Sequence, residues 1–175
     1  MAQPRLPSPG QKPAPAPKPK VLLAAPPSAP KPKPASAPVR GSTSWSALNQ
    51  AISRIPNYRP GVATWSVTAQ YGHWGATDLP TGRIYISPNV PVSKLYSVAA
   101  HEYGHALTSH NYGRNYRAAG AAMSIWFGGP AATARELAAD CMARLQGATW
   151  TAHTSCTNAK WRQGARTLLA GHRLP

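Results

Sequence analysis

Three of the four acidic residues in this 175-residue chain sit in two short motifs, and those motifs limit what it can fold into. The first is His101-Glu102-Tyr103-Gly104-His105; the second is Glu136-Leu137-Ala138-Ala139-Asp140. Asp78 is the only other acid. A chain this poor in carboxylates does not use them for surface solubility. It keeps them where a divalent cation would need them, so the fold must bring two helices together around one ion.

On a helix, residues four apart share a face, with Cβ atoms about 6 Å apart. His101 and His105 can therefore point ring nitrogens at one metal. Glu102, one residue round, is placed to reach a water on the ion rather than the ion itself. Zinc lowers the pKa of such a water to about 7, and a neighbouring carboxylate can then take its proton. Chance placement of this chain's histidines and glutamates would give roughly 0.002 such patterns. Leu95, Val98, Ala99, Ala100, Ala106 and Leu107 surround the motif, which predicts a helix buried on most sides. Two histidines and a glutamate inside such a helix are costly unless something binds them.

A catalytic zinc needs a third protein ligand. One extended pattern sets a third His six residues past the second, after a helix-breaking Gly. Thr108 and Asn111 occupy those places here, and His110 falls about 140° round the helix from His105. Glu136 is the better candidate. Gly128-Gly129-Pro130 reads as a helix start and Gly147 as its end, and Ala134, Leu137, Ala138, Cys141, Met142 and Leu145 form an apolar stripe between them. Glu136 and Asp140 lie on one edge of that stripe. Glu136 can complete the metal shell, and Asp140 can accept the free N–H of a ligating His. A solvated face on which these acids pair with Arg135 or Arg144 is the competing reading.

These residues, His101-Glu102-x-x-His105 followed by Glu136-Leu137-Ala138-Ala139-Asp140-Cys141, resemble the gluzincin metallopeptidases, and most of all the small bacterial neutral zinc metallopeptidases. The resemblance spans roughly residues 66–169 and is strong at the two helices. It implies an α+β, zincin-like domain in which a short antiparallel or mixed sheet packs on the active-site helix and a helical C-terminal half follows. It also implies one Zn2+ held by His101, His105 and Glu136, with Glu102 as base and Asp140 behind the ligands.

The remaining sequence divides in two. Residues 1–41 hold thirteen of the twenty prolines and seven Lys/Arg, with no acid, Tyr, Trp or Phe. Such a segment cannot bury a core, and we expect a disordered basic tail of polyproline II character. It is either a passive linker or a spacer that clings to an anionic surface such as a cell-wall polymer. Residues 42–175 carry all six Trp and all seven Tyr, enough for one domain, with a net charge of +8 from twelve Lys/Arg and four acids. Strands are expected over 62–70 and 83–87. The second, Arg83-Ile84-Tyr85-Ile86, is expected to offer a free edge to an extended peptide substrate. Helices are expected at about 93–110, 117–127, 130–146 and 158–170.

Cys141 and Cys156 are fifteen residues apart. A disulfide between them would tie the Glu136 helix to the loop before the last helix and would suit an extracellular or wall-associated protein. Free buried thiols are the alternative. The longest apolar run near the N-terminus, Val21-Leu22-Leu23-Ala24-Ala25, is shorter than a signal-peptide core, so export would need a separate leader or another route. No segment is long and apolar enough to span a membrane.

As an enzyme the chain would cleave a peptide or protein substrate, with one donor stabilising the oxyanion. His153, in the polar loop after the Glu136 helix, leads the candidates; Tyr112, Tyr116, Arg166 and His172 are the others. A pI near 10.7 also suits a basic binding module for wall polymer or nucleic acid with a structural zinc, although no nucleic-acid motif is present.

Overall fold

The computed structural model describes residues 43–175, and the basic segment 1–41 lies outside them. The chain is α+β. In order it forms α1 (Trp45–Ser53), β1 (Thr64–Val67), β2 (Gly75–Asp78), β3 (Arg83–Ile86), α2 (Val92–Asn111), α3 (Tyr116–Phe127), α4 (Ala131–Leu145) and α5 (Ala159–Leu169). No helix among the described residues is long and apolar enough to cross a membrane.

The sheet has the order β1-β3-β2. β1 runs parallel to β3 with Trp65 opposite Ile84, and β2 runs antiparallel to it with Thr77 opposite Ile84. β3 is therefore the central strand, hydrogen-bonded on both sides. This corrects the expectation that Arg83, Ile84, Tyr85 and Ile86 form a free substrate edge. The cause is β2, whose sequence Gly-Ala-Thr-Asp has no apolar alternation and is poor in strand formers. It becomes a strand because a short turn returns β3 beside it. In that turn Gly82 adopts φ +74° and its N–H bonds back to the Asp78 carbonyl at 2.7 Å.

The alternation in β3 sends Ile84 and Ile86 inward, both fully buried, and leaves Arg83 outside. The two isoleucines pack on α2 in the main core with Leu95, Val98, Leu107, Met123, Phe127 and Met142. α2 is buried along most of its length, which is why polar residues within it need partners. Tyr103 shows how this is met. Its hydroxyl accepts the Arg59 N–H at 2.8 Å and donates to the Asn57 carbonyl at 3.1 Å, pinning the loop after α1.

α2 and α4 carry the two motifs and touch through small residues. A Cβ at Gly104 would lie 3.3 Å from the Ala139 Cα. The backbones therefore approach closely one residue before His105 on α2 and one residue before Asp140 on α4. Gly104→Val should force the helices apart, destabilise the domain by about 1–3 kcal/mol and weaken metal affinity along with it. Thermal unfolding and metal titration of the variant check both effects.

Candidate metal centre

Side chains from α2 and α4 converge beside that close contact. His101, His105 and Glu136 each offer one donor atom, and the three atoms lie within 4.8 Å of one another. His101 Nε2 is 3.1 Å from His105 Nε2 and 3.2 Å from Glu136 Oε2, while His105 Nε2 is 3.4 Å from Glu136 Oε1. Two imidazoles and a carboxylate gathered this way form a group able to hold a metal ion.

Asp140, 1 % exposed, stands behind the cluster. Its Oδ1 is 2.7 Å from His101 Nδ1, so a proton on Nδ1 is held by that carboxylate and Nε2 is the nitrogen turned toward the cluster. Its Oδ2 accepts the backbone N–H groups of His153 at 2.6 Å and Thr154 at 2.9 Å. The loop supplying those donors is anchored by the disulfide between Cys141, next to Asp140, and Cys156.

The electrostatics follow from these contacts. Burial opposes the charged forms of all three groups. For His101 the hydrogen bonds to Asp140 and Glu136 outweigh burial and push its pKa up to about 10. For Glu136 the two histidines outweigh it and hold the carboxyl well below its usual range. For Asp140 the His101 hydrogen bond, helped by the loop N–H groups, likewise lowers it. A cation held by these atoms would take the place of any proton on His101 Nε2, since only an unprotonated imidazole nitrogen ligates.

Glu102 is separate from the cluster and nearly buried, at 7 % exposure. β2 covers it. Thr77 Oγ1 donates to Glu102 Oε2 at 2.7 Å, and a Cβ at Gly75 would fall 2.5 Å from Glu102 Oε1. Only glycine fits at position 75 with the carboxylate in this place. These two residues of β2 escape sequence reading, because a weak strand gives no reason to place them over α2.

The cluster and Glu102 line one cleft of about 480 Å³, with Gly75, Ala76 and Thr77 of β2, Arg135 of α4 and the loop residues Trp150 to His153. Trp74 and Trp150, both among its lining residues, pack against each other with ring centroids 5.3 Å apart. His153 is brought to the cluster, its Nε2 3.4 Å from Glu136 Oε2. Tyr112, Tyr116, Arg166 and His172 do not line the cleft. The Tyr112 hydroxyl instead accepts the Leu174 N–H at 2.9 Å, closing the C-terminal segment onto α2. Compared with known proteins, the chain matches no family model, no curated protein and no solved structure.

Asp140→Asn keeps the shape but removes the charge that orients His101. It should weaken metal affinity about 10–100-fold with the disulfide intact. Competition against a chelator measures this, and unchanged affinity would show that the ring is held by other contacts.

Proposed function

We propose that this chain is a zinc metallopeptidase of the gluzincin kind, with Glu102 as the general base. One observation carries the reading: a three-donor His/His/Glu cluster and a separate buried carboxylate share the floor of one cleft. Zinc accepts this donor set. Structural zinc sites are closed by four protein ligands, whereas catalytic ones use three. The cluster supplies three among the described residues.

Bound zinc would supply a Lewis acid for the scissile carbonyl and make water beside it more acidic. Every other part falls to the chain's own residues. Asp140 keeps the His101 proton on Nδ1 and so presents Nε2 as a ligand. Glu102 takes a proton from the attacking water and passes it to the leaving amine. Thr77 holds the Glu102 carboxylate in one orientation, so it need not reorganise during that transfer. His153, half-exposed beside Glu136, is the donor for the developing oxyanion.

β2 rather than β3 receives the substrate. It pairs with β3 on one side only among the described residues, and Gly75 to Thr77 line the cleft. An extended peptide adding to that edge would pass over the cluster. The disulfide suits a protein working outside the reducing cytosol. A basic binding module with a structural zinc would leave the Glu102 carboxylate, buried beside the cluster, without a task.

The test separates binding from chemistry. The protein should hold about one zinc per chain by elemental analysis, and a chelator should abolish peptide cleavage. Glu102→Gln should retain zinc and melting temperature while cleavage falls about 10²-fold or more. Loss of zinc in that variant would make Glu102 a ligand. Retained activity would move the base elsewhere, and either result overturns the assignment.

A further inference from the structure

Arg135 lines the cleft one residue before the ligand Glu136, yet its guanidinium has no acidic partner among the described residues. Every acid near it is committed elsewhere. Glu136 faces the histidines, Asp140 is held by His101 and two loop N–H groups, and Glu102 is held by Thr77. Asp78 does not line the cleft. The guanidinium also has a place made for it. It lies against α3 at Gly120, where a Cβ would come within 2.9 Å of Nη1, so the missing side chain there gives it room. The cleft thus keeps its acids engaged with other groups, and its lining includes one arginine, a planar and permanently charged donor that no acid neutralises among the described residues. Lys94 sits over the ring of the lining residue Trp150 at 5.4 Å and adds a second cation beside that ring.

We infer that Arg135 binds a carboxylate of the substrate and makes the cleft selective for acidic peptides. This rests on the peptidase reading above. An arginine fork matches a carboxylate in shape and charge, and its hydrogen bonds to an ionised acceptor are stronger than neutral ones. The same guanidinium disfavours a Lys or Arg side chain at that position, because it offers like charge in a partly desolvated site. The carboxylate can come from an acidic side chain near the scissile bond or from the peptide's own C-terminus. These share one chemistry and are separable by experiment.

The full-length, zinc-loaded Glu102→Gln protein should bind peptides while cleaving them at least about 10²-fold more slowly, and Trp74 and Trp150 in the cleft provide a fluorescence signal. Three peptides of one neutral sequence serve as probes: one amidated, one amidated with a single Glu, and one with a free C-terminus. The Glu peptide or the free-acid peptide should bind about tenfold tighter than the neutral amide, and whichever gains identifies the source of the carboxylate. Adding Arg135→Gln should bring that ratio to about one, and Arg135→Lys should keep part of it. Zinc content and melting of each variant are read alongside. If the Gln variant loses zinc, the Lys variant decides, and complete loss of preference with charge and zinc retained overturns the inference. Equal binding of all three peptides, or a preference that survives Arg135→Gln, also overturns it. Preferential binding that depends on Arg135, with no cleavage of any peptide by the wild type, supports the inference and defeats the peptidase reading instead.

Discussion

One buried carboxylate organises the centre of this protein. Asp140 joins α2 through the His101 ring, joins the loop after α4 through two backbone N–H groups, and stands next to the cysteine that pins that loop. A charge at 1 % exposure survives only when donors compensate it, and here three engage its two oxygens. The arrangement is cooperative in a physical sense. The loop N–H groups stabilise the anion, the anion fixes the His101 tautomer, and the tautomer decides which nitrogen faces the cluster. The disulfide keeps the loop close by when the other contacts fluctuate.

The second constraint is the thinness of the α2–α4 contact. Donor atoms on separate helices meet within 4.8 Å because Gly104 lets the Ala139 backbone come close. Larger residues at this crossing would leave His101, His105, Glu136 and Asp140 in place on their helices and still separate the donor atoms. β2 imposes the matching condition on Glu102 from the other side, with a glycine packed over the carboxylate and a threonine bonded to it. The acid beside the cluster is therefore enclosed by α2 and β2, while the cluster itself opens to the cleft.

Much of the helical architecture is legible in the chain. The periodic apolar stripes and the Gly and Pro breaks place α2, α3, α4 and α5 within a residue or two of their observed ends. α1 carries a readable signal as well: Ser44 accepts the Ala47 N–H as an N-cap, and Leu48, Ala51 and Ile55 follow at helical spacing, all buried. It is short and lies far from the motifs, so it is easily passed over. β2 is different. Gly-Ala-Thr-Asp carries no pattern that favours a strand, and only pairing with β3 makes it one. Missing it turns the central strand into an apparent edge and hides Thr77 and Gly75 from the site.

The sequence by itself determined which residues could act together. The i, i+4 histidines and the i, i+4 acids each share a helix face by covalent geometry alone, and the scarcity of acids singles out both pairs. Local geometry says nothing about how two helices cross, or what lies above them. The tertiary structure decided that Glu136 faces the histidines while Asp140 lies behind them, that β2 encloses Glu102, and that Arg135 lines the cleft without an acidic partner among the described residues. These are contacts between segments distant in sequence. They are set by the packing of Gly104 on Ala139 and by the pairing of β2 with β3, neither of which is visible in any single stretch of the chain.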